Sequence, residues 1–283
     1  MKKIISAIDF SKCSLHALEY AINMANNVEA DVIMVWVDTD THNDSEMSVY
    51  HSEHRHEIKS QFEELMEKYS STLSAGELSY KLRKGKVYQE ISNQAKYDDA
   101  SLIIAGSHGI SGYEKFWIGS NANRIVSYAP CPVITIRLNF PFKNKLSKII
   151  LPIDSTLETR QKVPFTVRLA KLFGSEIHIL AVYSTSVQAV QRKVDSYAEQ
   201  TAKFIHQHSV KFVVEAIKAD NVTNSVIQYG ETVNADLIAI MTEQETSTAN
   251  LLLGPYAIQM VNNSPIPVLT IQAAEIMKIH AGI

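Results

Sequence analysis

The chain repeats itself once. Ile4-Ile5-Ser6-Ala7-Ile8-Asp9 returns as Ile149-Ile150-Leu151-Pro152-Ile153-Asp154. The segment IGSNANRIVSYAPCPVITI, from Ile118, returns as LGPYAIQMVNNSPIPVLTI, from Leu253, without a gap. A period this long means two copies of a whole domain rather than a solenoid of short units. The 283 residues agree, since a domain commonly takes about 100–200. The expected domains are residues 1–140 and 146–283. The stretch Asn139–Lys145, NFPFKNK, carries a proline and charges and suits a short linker.

Within the first copy, apolar runs alternate with helical spacings. Ile4–Asp9, Val32–Val37, Leu102–Ala105 and Val133–Ile136 are short apolar runs of the kind that make strands buried on both faces. Leu78–Arg83 alternates weakly and is a further strand candidate. Leu15, Leu18, Ile22 and Ala25 recur at helical spacing, as do Ile58, Phe62, Leu65, Met66 and Tyr69. Val87–Ala95 and the segment after Ser120 supply two more helices. The second copy follows suit, with strands at Ile149–Asp154, Ile177–Val182, Val210–Ile217, Leu237–Ile240 and Val268–Ile271. Its helices are expected to end near Phe173, to cover Val194–His206 and Val222–Val233, and to start near Gly254. Pro164 is tolerable if it falls in a first helical turn. Strands alternating with helices imply α/β architecture, a parallel sheet covered on both faces.

The stretch Gly106–Asn121, GSHGISGYEKFWIGSN, joins the fourth strand of the first copy to its fourth helix. Glycine lets backbone N–H groups approach an anion, because no Cβ intervenes. Gly119-Ser120 opens a helix, where unpaired N–H groups and the dipole favour phosphate. The physical reading is a cradle for a phosphorylated ligand. Ser120 adds a hydroxyl and Asn121 another N–H. His108 is placed to donate to a phosphate, although a solvent-facing loop histidine is the simpler expectation. Tyr113, Phe116 and Trp117 are expected to pack the loop onto the core.

The pattern G-x2-G-x9-G-S, with an Asp after the first strand, resembles the ATP-binding subclass of the universal stress proteins. The resemblance covers nearly the whole chain, because of the repeat. It implies two tandem doubly wound domains, Rossmann-like and of the adenine nucleotide alpha hydrolase type, each a five-stranded parallel sheet of order 3-2-1-4-5. It implies phosphate contacts from Gly106, Gly109, Gly119 and Ser120, and nucleoside contacts from Asp9 and Val37. In that strand order, strands one and four are neighbours at a winding reversal, where ligands bind. The ligand implied is ATP or another adenine nucleotide, with Mg²⁺ as a potential companion. The family also pairs domains through their last strands. Here Val133–Ile136 and Val268–Ile271 would pair within one chain, covering two edges, and the whole chain could dimerise further. Slow ATP hydrolysis or autophosphorylation, with Ser120 a candidate acceptor, and a nucleotide-free interaction scaffold are the alternatives.

The second copy departs from the motif. On the repeat, Met241 stands for Gly106, Gln244 for Gly109 and Pro255 for Ser120, while Asp154 and Gly254 persist. Side chains replace bare backbone, Pro255 removes a donor, and Glu243 and Glu245 add negative charge. The second copy is expected not to bind ATP in the family's mode. Because Asp154 survives there, Asp9 is expected to serve its own turn as well as a ligand.

Other features argue for a binding module. GxxxxGK[ST] is absent, and no metal, charge clamp and nucleophile set for fast phosphoryl transfer is assembled. A formal net charge of −3 gives no electrostatic case for nucleic acid. No run approaches the roughly 20 apolar residues of a membrane span. Two cysteines, Cys13 and Cys131, without a CxxC pair, fit a reducing cytoplasm. Cys13 is expected to be a buried thiol rather than a nucleophile. His42, His51, His54 and His56 cluster, but a solvated polar segment leading into a helix is the expectation over a metal site.

Overall fold

The structure is a computed structural model. It describes residues 1–39, 48–107, 120–141, 145–242, 244–245 and 252–273, without the side chains of residues 48–53, 120, 244–245 and 252–253. In the N-terminal half, β1 (Lys3–Ala7), α1 (Lys12–Val28), β2 (Asp31–Asp38), α2 (Ser48–Tyr69) and β3 (Leu78–Lys84) come first. Then follow α3 (Val87–Tyr97), β4 (Leu102–Gly106), α4 (Ser120–Tyr128) and β5 (Val133–Ile136). The C-terminal half runs β6 (Lys148–Ile153), α5 (Val163–Phe173), β7 (Glu176–Tyr183), α6 (Gln188–Gln207) and β8 (Phe212–Lys218). It continues with α7 (Val222–Thr232), β9 (Leu237–Thr242), the two-residue strands β10 (Gln244–Glu245) and β11 (Leu252–Leu253), α8 (Pro255–Asn263) and β12 (Val268–Gln272).

Ten of the strands form one sheet of order β3-β2-β1-β4-β5-β12-β9-β6-β7-β8, and β10 and β11 pair antiparallel apart from it. Each half contributes the order 3-2-1-4-5 to the large sheet, in which all pairings are parallel except one. β5 meets β12 antiparallel, with Leu269 opposite Ile134. Apolar runs such as Ile4–Ile5 and Ile103–Ile104 are fully buried because helices cover both faces. One core layer joins Leu18 and Phe62 to Phe165 and Tyr197. The other joins Ile91 and Ile125 to Val226 and Met260. Both layers therefore run through both halves.

The junction is tied by an exchange of side chains at equivalent positions. Gln272, the last residue of β12, donates from Nε2 to the carbonyl oxygens of Val126 and Ser127, at 2.8 and 2.9 Å. These lie at the C-terminus of α4, where carbonyls lack intrahelical partners. Arg137, which follows β5, donates to the carbonyl of Asn262 at the C-terminus of α8. On the repeat Arg137 matches Gln272, and Ser127 matches Asn262. Each half thus caps the last helix of the other.

Helix limits follow local chemistry. Ser11 caps α1 by accepting from Ser14 N at 3.1 Å. Gly174 ends α5 at φ 66°, a left-handed position that suits glycine. Pro164 sits in the first turn of α5, where its missing N–H has no intrahelical partner to lose.

Candidate functional site

β1 and β4 lie side by side, with Ala7 opposite Ala105. The chain leaving β1 and the chain leaving β4 therefore emerge at the same edge of the sheet. β1 stops at Ala7, so Asp9 belongs to the turn beyond it. Its Oδ1 accepts from Ser11 N at 3.0 Å, and its own N–H donates to Ser14 Oγ at 3.3 Å. Oδ2 has no hydrogen-bond partner among the described residues. Phe10 takes a left-handed φ of 61° to make this turn. A side chain in that region costs about 1–2 kcal/mol. Aromatic packing offsets it, since Phe10 meets Phe62 edge-on at 5.0 Å and Phe62 stacks on Tyr80 at 4.7 Å.

Gly106 ends β4 opposite Ile136. A Cβ there would lie 2.9 Å from both the Cys13 carbonyl carbon and Cys13 Sγ. The start of α1 thus rests directly on the backbone of Gly106. Cys13 is buried, and its thiol donates to Ile136 O at 3.5 Å. This close fit is a packing reason for glycine that the motif alone did not reveal. Val37 is buried near the end of β2, on the α3–α4 face. Asn121 is exposed in the first turn of α4. His108, Gly109, Gly119, Tyr113, Phe116, Trp117 and the Ser120 side chain lie outside the described residues.

The equivalent crevice of the C-terminal half is built differently. Asp154 Oδ1 accepts from both Thr156 N and Thr156 Oγ1, at 2.7 and 2.6 Å. Its N–H donates to Thr159 Oγ1 at 3.2 Å, repeating the Asp9–Ser14 bond. Met241, in place of Gly106, is buried at the end of β9. A single 3-10 turn, Glu158–Arg160, precedes α5, whose α-helix begins only at Val163. The close seat that α1 finds on Gly106 is not repeated. Lys162 is buried behind this turn and donates to Thr159 O at 2.7 Å and Thr159 Oγ1 at 3.1 Å. Burial pushes its ammonium down to about 8, and the Asp154 carboxylate pulls the other way. An internal amine therefore backs the turn beside the second crevice, which sequence reasoning missed because a helix-start lysine reads as surface. Gln244 lies in β10; Glu243 and the side chains of Gln244 and Glu245 fall outside the description.

A cleft of about 340 Å³ opens beyond β2 and β3, lined by Trp36, Asp38, His54, Arg55, Arg83 and Lys84 among others. His54 packs edge-on to Trp36 at 6.0 Å, and His56 is exposed. His42 and the His51 side chain are outside the description. Among the described residues, no three His, Cys, Asp or Glu side chains are grouped to hold a metal ion. None of the described helices is long and apolar enough to cross a membrane.

Fold and crevice together define a tandem, doubly wound α/β protein whose two halves have diverged at the strand ends. The family model described as universal stress protein family matches residues 1–137 and 145–272, and the chain belongs to that family. The universal stress protein YxiE of Bacillus subtilis is 31% identical over 147 residues, 48% of this chain and 98% of that protein. A universal stress protein structure from Archaeoglobus fulgidus superposes with a TM-score of 0.76 at 18% identity, covering 96% of this chain and 98% of the other. A putative universal stress protein from Pseudomonas aeruginosa superposes with a TM-score of 0.66 at 14% identity, covering 99% and 98%. These two structures agree in fold.

Proposed function

We propose that this stress-response protein binds ATP or a related adenine nucleotide in its N-terminal half and acts as a nucleotide-dependent regulatory or interaction module. The observation that carries the reading is the adjacency of β1 and β4, which brings the Asp9 turn and Gly106 to one edge of the sheet. That edge is a winding reversal, where open α/β sheets bind ligands. Asp9 Oδ2 is available to accept from a sugar hydroxyl, while Oδ1 holds the turn. Val37 supplies an apolar wall. The glycines at 106, 109 and 119, with Ser120, Asn121 and His108, are proposed to meet the phosphates through backbone N–H groups and short polar side chains.

The C-terminal half is proposed as the non-binding, pseudo-symmetric partner of the first. Met241 replaces the bare backbone of Gly106 there, and Lys162 is buried behind the Glu158–Arg160 turn. Bound nucleotide would add its phosphates' charge to the N-terminal crevice. The protein's part is to hold and report the ligand. A cytoplasmic location goes with this reading.

Equilibrium dialysis of the whole chain against labelled ATP tests the proposal. Saturable binding of one nucleotide per chain is expected, lost in a folded Gly109→Glu variant whose carboxylate would face the phosphates. Absence of binding at millimolar ATP would remove the ligand claim. Retention by the variant would move the phosphate site away from the loop.

A further inference from the structure

The two outer edges of the sheet, β3 and β8, are chemically unlike. β3 reads LSYKLRK, with Lys81 and Lys84 exposed and Lys86 just beyond. Cations along an edge discourage strand addition by a second copy. β8 reads FVVEAIK and is preceded by Lys211. Val214 is 50% exposed on it, and Phe212, Val213 and Ile217 are only partly covered. An open, apolar edge is a template for pairing.

The free side of β8 can be assigned residue by residue. Lys211 O accepts from Ile177 N, and Ala219 N donates to Tyr183 O, each at 2.9 Å. The odd-numbered residues therefore turn their backbone groups inward to β7. Phe212, Val214, Ala216 and Lys218 turn theirs outward, with no backbone partner among the described residues.

We propose that this edge docks a second copy of the chain, β8 against β8 antiparallel, about a two-fold axis at Val213. Only registers that oppose outward-facing residues close the hydrogen bonds. Centred on Val213, Phe212 and Val214 of one copy exchange backbone bonds with Val214 and Phe212 of the other. Lys211 then faces Glu215 across the axis at both ends, an opposite-charge pair in the closely spaced, non-hydrogen-bonded position. Phe212 and Val214 bring four apolar side chains together on one face. Centring on Glu215 instead would set two carboxylates directly opposite each other, which is unfavourable. Centring on Val214 would leave Lys211 facing Ile217 and Glu215 facing Val213, with no charge paired. Composition of the edge thus selects one register and one occupant. The pairing is closed by its two-fold axis, so it yields a dimer and not a filament.

A strand-edge contact of this length falls in the small class of interfaces, so association is weak. Sedimentation equilibrium of the full chain, from about 1 µM to about 1 mM, covers the affinities such contacts give. A monomer–dimer equilibrium is expected. Val214→Lys, at a half-exposed site the monomer tolerates, should weaken it at least tenfold. Lys211→Glu and Glu215→Lys should each weaken it, and the double variant carrying both changes should restore it. Circular dichroism confirms that each variant folds. A wild-type chain monomeric throughout, or one that grows beyond a dimer, would overturn the proposal. Failure of the double variant to recover association would overturn the register, and with it the charge argument for this edge.

Discussion

Gly106 and Cys13 are packed so tightly that any Cβ on the glycine would come within 2.9 Å of the cysteine's Sγ and of its carbonyl carbon. The obstacle is partly backbone, so a neighbouring side chain cannot simply swing away. Gly106→Ala should cost about 1–3 kcal/mol, as overpacking does, by lifting the first turn of α1 from β4. Urea denaturation measures this. Cys13→Ala in the same chain should recover only part of the loss, because the Cys13 carbonyl carbon and oxygen stay at 2.9 and 3.0 Å. Full recovery would mean that the thiol alone sets the fit.

Asp9 and Asp154 separate turn-making from ligand binding. Each holds a backbone N–H two residues on, Ser11 in one half and Thr156 in the other. Asp9→Ala and Asp154→Ala should each lower stability by about 1 kcal/mol through loss of that bond. Only Asp9→Ala should also weaken nucleotide binding in dialysis. Equal affinities in the two variants would confine Asp9 to its turn.

Lys162 gives the C-terminal half a pH signature. Burial lowers its pKa in the folded chain to about 8 from 10.5. Between those values the unfolded chain holds a proton that the folded chain has released. Stability contributed at this residue therefore rises with pH across the window and is constant below it. The difference in unfolding free energy between wild type and Lys162→Met should change in that sense from about pH 8 to about 10.5. Burial of Tyr20, whose phenol is pushed up, acts in both proteins and cancels. A flat difference would mean that Lys162 reaches solvent.

Gln272 and Arg137 are expected to matter equally to the junction. Gln272→Ala removes both bonds to the end of α4 and should cost about 1–2 kcal/mol. Because both core layers run through both halves, the chain should still unfold in one calorimetric transition. Two resolved transitions in wild type would contradict the shared core.

Strands were the most legible part of the sequence. Buried runs such as Val32–Val37 and Val133–Ile136 have few alternatives once helices flank them. α2 is partly hidden, because its apolar stripe starts at Ile58 whereas the helix starts at Ser48; in the intervening SVYHSEHRHE, Val49 and Tyr50 stand alone and make no stripe. The repeat aligned Asp9 with Asp154 and Gly106 with Met241, yet it carried no sign of why the glycine is required. That reason lies across the fold, in Cys13. The left-handed Phe10 was equally unreadable, since only its aromatic neighbours make the conformation tolerable. The Arg137 and Gln272 caps depend on partners more than a hundred residues away, and Lys162, though bonded to nearby Thr159, is buried by the surrounding fold; local patterns encode neither.

The hold of Gln272 on α4 has a consequence for how occupancy could be sensed. The helix is gripped at its carbonyl end by the far half of the molecule, and its amide end is the one proposed to meet phosphate. Whatever steadies one end of so short a rod steadies the other. On the proposed reading, nucleotide affinity and the cohesion of the seam are coupled, and by thermodynamic reciprocity a looser seam would be felt as weaker binding.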